Sequence, residues 1–141
     1  MEDQTKAKGE LHIVLKDEQG NVKEERVCNT VTTNGKYCIA DQLLASPSLN
    51  KPTHMAVGTG SPAANALGTE LDRNAFTTKT RNNAVVTMVG DWAAGDGTGA
   101  LTEAGLFDAN SVGNMICSAS FSAINKGASD TLSISWALTI S

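Results

Sequence analysis

The sequence predicts a mainly β protein: an antiparallel β-sandwich or jelly-roll-like domain with one short helix. Apolar and polar residues alternate with a period of two over several segments, and loops rich in Gly, Asn and Ser separate these segments. Only 4% of the 141 residues are aromatic and only 18% are charged, so small and β-branched side chains dominate. Side chains of this kind are typical of closely packed sheets with many turns.

The N-terminal part predicts a flexible arm followed by a hairpin. Residues 1–9 are polar and mixed in charge, and we expect them to form the arm, with 10–141 as a single sandwich domain. Apolar and polar residues alternate from Leu11 to Leu15, a turn containing Gly and Asn follows, and a charged second strand comes next. This order predicts a hairpin over residues 10–27.

Residues 34–46 are the one good helix candidate. Asn34 can cap the N-terminus, Ile39 and Leu43 lie four residues apart on one side, and Pro47 closes the segment. We expect this short helix to pack against one end of a sheet and cover it.

From residue 54 onward the pattern is that of β-structure. Strands are predicted over 54–58, 83–92, 100–108, 115–124 and 131–140. Residues 70–78 fit either an extended segment or a brief turn, and the pattern leaves this open. Gly105 interrupts one strand, which indicates a bulge or a close backbone approach.

Charge and composition exclude several classes of partner. The chain carries 15 acidic and 11 basic residues and a formal charge of −4, without the basic footprint that nucleic acid requires. No stretch approaches the roughly 20 apolar residues of a membrane span, and the N-terminus does not resemble a signal peptide. Three cysteines without CxxC spacing (Cys28, Cys38 and Cys117) predict buried free thiols and folding in a reducing cytoplasm.

The sequence motifs predict no cofactor and no metal. The run Gly58-Thr59-Gly60 lacks the Gly-Lys-Ser/Thr continuation of a phosphate loop, so we interpret it as a strand exit that needs permissive φ angles. The spacing of Asp91, Asp96 and Asp108 does not match an EF-hand, although a calcium ion held by several loops stays an alternative.

The sequence also predicts no catalytic residues and no enzyme. His12 and His54 are expected to be ordinary strand residues, and no serine lies in a Gly-x-Ser-x-Gly elbow. A carboxylate pair for sugar cleavage, Glu70 with Glu103 for example, stays open, but the chain has only six aromatic residues to line a sugar cleft.

The last two strands carry a second face of small, neutral side chains. Such a face is unusual for a solvated surface, and it favours close contact with another protein. The predicted assembly interface consists of Ser118, Ser120, Ser122, Thr131, Ser133, Ser135 and Thr139.

Several segments, in this order and spacing, resemble a group of small structural proteins of tailed bacteriophages. The segments are Ala-Val-Gly-Thr-Gly at 56–60, Leu-Gly-Thr-Glu-Leu-Asp-Arg at 67–73, Glu-Ala-Gly-Leu-Phe-Asp at 103–108, Phe-Ser-Ala-Ile-Asn-Lys at 121–126 and Asp-Thr-Leu-Ser-Ile-Ser-Trp at 130–136. With the helix at 34–46, the resemblance spans about residues 27–140. Members of the group are described as capsid decoration (cement) proteins or as tail-associated proteins.

The resemblance implies a virion protein made in the host cytoplasm. Its partner would be the major capsid protein or another virion protein, and the chain would form a dimer or trimer. Decoration of the outer shell is the first hypothesis, and a tail, baseplate or fibre connector is the second. A carbohydrate-binding module that uses Trp92 or Trp136 is the third.

The resemblance supplies structural roles for its charged residues rather than catalytic ones. Glu103 is expected to form a partly buried ion pair with Arg73 or Arg81, and Lys126 is expected in the last hairpin loop.

Overall fold

The computed structural model describes residues 7–29 and 33–140, which form nine strands and one helix. In chain order these are β1 (Ala7–Lys16), β2 (Val22–Asn29), α1 (Thr33–Asp41), β3 (His54–Gly58), β4 (Glu70–Ala75), β5 (Thr78–Asn82), β6 (Val85–Trp92), β7 (Gly99–Phe107), β8 (Met115–Lys126) and β9 (Thr131–Ile140).

The strands form two antiparallel sheets, which confirms the predicted sandwich. Sheet A has the order β2-β1-β9-β6-β5, and sheet B has the order β4-β3-β7-β8. The main core lies between them, because the inward residues of both sheets belong to one buried cluster. Its largest members include Leu11, Ile13, Met55, Met88, Trp92, Leu106, Ile134 and Trp136.

The N-terminal hairpin forms as predicted, but its first strand begins earlier. β1 starts at Ala7, which pairs with Ile140, so residues 7–9 belong to sheet A and not to an arm. Residues 1–6 of the predicted arm lie outside the described residues. In the β1–β2 turn, the carboxylate of Asp17 accepts hydrogen bonds from the backbone N–H groups of Gln19 and Asn21.

The helix is present but ends at Asp41 rather than at residue 46. The Asp41 carboxylate accepts hydrogen bonds from Ser48 N, Ser48 Oγ and Leu49 N at 3.2, 3.0 and 2.8 Å, which folds the chain back immediately after the last turn. The same bonds, first that of Leu49, lower the pKa of Asp41. On α1 the side chain of Cys38 is buried, whereas Leu43 lies beyond the helix in solvent. The predicted capping side chain, Asn34, lies outside the described side chains.

Residues 70–78 turn out to be a strand followed by a crossing between the sheets. β4 belongs to sheet B and β5 to sheet A. Between them Phe76 N donates to Thr53 O at 3.1 Å, and Thr77 N donates to Val89 O at 2.8 Å. β5 was not predicted, because all five of its residues are polar or charged and exposed, so no apolar alternation marks it.

The connection between β8 and β9 is tied to the N-terminal hairpin by an ion pair. Asp130 Oδ2 accepts from Lys23 Nζ and from Gly127 N, both at 2.7 Å. The hydrogen bond from Lys23, followed by that from Gly127, lowers the pKa of Asp130 below its usual 3.8.

This ion pair gives the protein an acid-sensitive contribution to stability. Because the folded-state pKa of Asp130 is depressed, its contribution is present above pH 3.8 and is lost as the pH falls through the lower folded value. We expect Asp130→Asn to unfold at lower urea concentration than the wild type at pH 6, with the difference shrinking by about pH 2. Urea titrations at both pH values measure this, and a constant difference would contradict it.

Candidate functional site

Residues 59–69 form a loop that lies over the outer face of sheet B, the face turned away from sheet A. Leu67 of this loop packs with Ala56, Phe107 and Met115 in a second buried cluster, separate from the main core. Sheet B is therefore covered on both faces, by the main core on one side and by the loop on the other.

Glu103 anchors this loop, which we call the Glu103 loop. Its side chain is fully buried on the outer face of β7. The carboxylate accepts backbone hydrogen bonds from Gly60 N at 2.9 Å, Gly68 N at 2.7 Å and Thr69 N at 2.8 Å. A buried carboxylate needs such donors to offset its lost hydration, and the loop supplies three of them.

Two glycines permit the close approach of loop and sheet. A methyl group on Gly58 would overlap Thr69 O and the Glu103 carboxylate, and one on Gly68 would overlap the backbone of Ser61. None of Gly58, Gly60 and Gly68 has a positive φ angle. The Gly58-Thr59-Gly60 run therefore serves close packing, and the predicted need for permissive φ angles is wrong.

Arg73 lies on the same face of sheet B but does not pair with Glu103. Its guanidinium forms a bidentate ion pair with Glu70, at 3.1 Å from Nε and 2.6 Å from Nη2. It also stacks on Phe107, with Cζ 3.7 Å from the ring centroid, and donates from Nη1 to the carbonyls of Ala109 and Val112. Arg73 thus fixes the turn that connects β7 to β8.

The ion pair expected for Glu103 does not form with either arginine. Arg81 lies on β5 in the other sheet, where it is exposed and donates to Asn83 O at 2.9 Å. Glu70 and Glu103, considered as a carboxylate pair for sugar cleavage, both have structural partners: Arg73 holds one, and three backbone N–H groups hold the other. Their arrangement fixes the Glu103 loop and the β7–β8 turn.

Lys126 also differs from its expected position. It is the last residue of β8, not a loop residue, and it is almost completely buried. Its Nζ donates to Ala93 O at 3.0 Å, and desolvation by burial lowers its pKa. This lysine holds the β6–β7 loop against the end of the sandwich.

The predicted Ser/Thr interface is divided between the two sheets. β8 belongs to sheet B and β9 to sheet A, because residues 127–130 cross from one sheet to the other. The outward residues of the two strands therefore face opposite sides of the sandwich. Ser118, Ser120 and Ser122 lie on β8, and Thr131, Ser133, Ser135 and Thr139 lie on β9. A single interface cannot contain all seven residues, so that prediction is wrong as one surface.

A different surface carries exposed apolar side chains. We call it the helical end: α1, residues 42–53 after it, and the turn at 108–114. Four large apolar residues of the helical end are exposed to solvent: Tyr37 at 62%, Leu43 at 87%, Leu44 at 59% and Val112 at 84%. A group of large exposed apolar residues on one end is typical of a protein contact.

Val112 is held in a strained conformation at this end. Its φ angle is 54°, in the left-handed region that β-branched residues rarely adopt. Arg73 fixes the carbonyl of Val112, and the carboxylate of Asp108 accepts from Asn114 N at 2.8 Å across the same turn. Strain that surrounding contacts maintain is often found at functional sites.

We expect Val112→Gly to raise the free energy of unfolding by about 0.5–1 kcal/mol, because glycine adopts this φ angle without strain. The matched control is Val27→Gly on β2, where an exposed valine with ordinary strand geometry is replaced and stability should fall. Urea denaturation of both variants measures the difference. A loss of stability in Val112→Gly would contradict the assignment of strain.

The tryptophans proposed as a sugar platform are both buried, at 1% exposure for Trp92 and 0% for Trp136. Cys38 and Cys117 are buried and belong to no disulfide, as predicted, and the side chain of Cys28 lies outside the described part of the chain.

The described residues contain no group of three or more His, Cys, Asp or Glu side chains that could hold a metal ion. Within residues 7–29 and 33–140, no helix has the length and apolar character needed to cross a membrane. No family model, curated protein or solved structure matches the chain significantly.

Proposed function

We propose that this protein is a non-enzymatic structural protein of a tailed-bacteriophage virion, and that it binds the outer shell as a capsid decoration protein. The observation that carries the proposal is the helical end, where Tyr37, Leu43, Leu44 and Val112 expose large apolar side chains. Burying such side chains against a partner is favourable, at about 25 cal/mol per Å² of apolar surface.

The positions of the resembling segments support the proposal. Residues 56–60, 67–73 and 103–108, which are distant in sequence, meet on the outer face of sheet B around Glu103 and Arg73. The segments that resemble phage structural proteins therefore include the residues that fix a loop and a turn. Residues with such roles are expected to be shared by proteins that share a scaffold.

In this model of assembly the helical end contacts the shell, and the Ser and Thr residues of β8 and β9 do not. Arg73 joins the two regions, since it stacks on Phe107 of the cluster on sheet B and also fixes the turn that displays Val112. A rigidly held apolar side chain loses little conformational entropy on binding, which favours affinity.

The first test is the copy number of the chain in purified particles. Particles from a lysate of the source culture, separated on a density gradient, should contain this chain in hundreds of copies, as counted by quantitative mass spectrometry. A handful of copies would instead indicate a tail, baseplate or fibre connector. Absence from the particles would overturn the virion role.

The second test identifies the contact surface. Leu43→Asp and Val112→Asp should weaken binding of the purified protein to particles lacking it by about tenfold or more, because each variant places a charge in a buried apolar contact. Val22→Asp and Val27→Asp replace valines that are exposed on β2 and should bind like the wild type. Equal losses of affinity in both pairs of variants, or no loss in either pair, would contradict a contact at the helical end.

A further inference from the structure

An apolar cavity opens between α1 and the adjacent end of sheet A. Its volume is about 420 Å³, within the range of roughly 300–1,000 Å³ that small-molecule sites occupy. It is far larger than the few voids left in a close-packed interior. The apolar side chains that line it come from the helix and from three strands: Cys38, Ile39, Val86, Met88, Ile116 and Leu138.

Three cations, Lys51, Lys79 and Arg81, also line this cavity. Lys79 is the cross-strand neighbour of Met88, and Arg81 is that of Val86, so both basic side chains share a face with the apolar lining. In the described part of the chain none of the three forms a salt bridge. Lys79 Nζ donates to Pro52 O and Arg81 Nη1 to Asn83 O, so neither cation has an anionic partner among the described residues.

Two acidic groups that act on the lining residue Cys38 already have hydrogen-bond partners in the protein. Burial raises the pKa of the Cys38 thiol, and the negative charges of Asp41 and Asp108 raise it further. The carboxylate of Asp41 accepts from Ser48 and Leu49, and that of Asp108 accepts from Asn114. The cavity therefore combines an apolar interior with three cationic side chains that form no ion pair with the described residues, in a protein whose overall charge is −4.

We propose that this cavity binds a small amphipathic carboxylate, of the class of medium-chain fatty acids. The apolar chain occupies the interior between α1 and β6, and the carboxylate lies between Lys79 and Arg81. Each part of the ligand meets the chemistry that stabilises it: apolar burial for the chain and charge-assisted hydrogen bonds for the head group. The cavity lies at the helical end, but its lining side chains differ from Tyr37, Leu43, Leu44 and Val112, on which the assembly role rests.

Calorimetric titration with decanoate, below its micellar concentration, tests the proposal. Decanoate should bind saturably and about tenfold more tightly than decan-1-ol, which has the same chain without the charge. Decyltrimethylammonium should bind more weakly still. Equal affinity for acid and alcohol, or the absence of saturable binding by the folded protein, would overturn the proposal.

Variants then locate the site. The double substitution Lys79→Glu with Arg81→Glu should weaken decanoate binding at least about tenfold, because it reverses both charges. Val86→Trp should weaken the binding of all three probes, because the larger side chain fills the cavity. Lys16→Glu is the matched control, an exposed charge reversal at the far end of sheet A, and should bind like the wild type. If the double variant does not fold by circular dichroism, Lys79→Gln with Arg81→Gln replaces it. Unchanged binding in the folded variant would overturn the site.

Labelling of Cys38 gives an independent readout. Because this thiol lines the cavity, decanoate should slow its reaction with a maleimide, as followed by mass spectrometry of the peptide that contains it. Decanoate that binds calorimetrically without protecting Cys38 would place the ligand elsewhere and overturn the assignment.

Discussion

Glu103→Ala is expected to lower the free energy of unfolding by at least about 4 kcal/mol, because it leaves the backbone N–H groups of Gly60, Gly68 and Thr69 without their acceptor. A donor that is left unpaired and shielded from water costs about 1–3 kcal/mol. The loss includes the outer cluster, since the loop that carries Leu67 is no longer held down. Urea denaturation followed by tryptophan fluorescence measures the change.

Two further variants separate the hydrogen bonds from the general effect of substitution. Glu103→Gln keeps one acceptor oxygen but turns an NH₂ group toward a backbone donor, so we expect the free energy of unfolding to fall by about 2 kcal/mol. Glu10→Ala removes an exposed carboxylate from β1 and should stay within about 0.5 kcal/mol of the wild type. A cost below about 1 kcal/mol for Glu103→Ala would mean that water readily replaces the carboxylate, and that the loop does not depend on it.

Gly58→Ala is expected to lower the free energy of unfolding by about 3 kcal/mol or more, the second large effect. The added methyl group overlaps a backbone carbonyl, that of Thr69, as well as the Glu103 carboxylate, and the backbone of β3 cannot move without disturbing the sheet. Accommodation therefore requires the Glu103 loop to lift from the sheet.

Gly105→Ala on β7 is the matched control for this clash. Its methyl group would lie 3.0 Å from Met115 Sδ and 3.0 Å from the Phe107 ring, and both are side-chain atoms that can shift. We expect a smaller loss of about 1–2 kcal/mol. Equal costs at Gly58 and Gly105 would contradict the distinction between a fixed backbone neighbour and a movable side chain.

Much of the fold could be predicted from local pattern, as β9 illustrates. The alternation of Leu132, Ile134, Trp136 and Leu138 identified both the strand and its buried face. The period of two, however, does not tell which sheet a strand joins. The small residues of β8 and β9 were therefore assigned to one surface, although residues 127–130 carry the chain from one sheet to the other.

The environment of Glu103 could not be predicted, for a related reason. Its three hydrogen-bond donors lie 34 to 43 residues away in the chain and are backbone groups, which leave no mark in the side-chain pattern. The available signal was a carboxylate within the apolar strand from Leu101 to Phe107, since such a residue must find donors when it is buried. The cavity was not predicted either, because the helix, the segment after it and four strands contribute to it.

The double covering of sheet B has a consequence for local opening of the chain. β3 and β7 are its central strands, enclosed by the main core on one face and by the Glu103 loop on the other. Their amide protons can exchange with solvent deuterium only when most of the molecule unfolds, and so they report global stability. Residues 42–53, with few strand hydrogen bonds and many exposed side chains, can open separately. The protein thus pairs a slowly exchanging sheet with a region at the helical end that can rearrange without global unfolding.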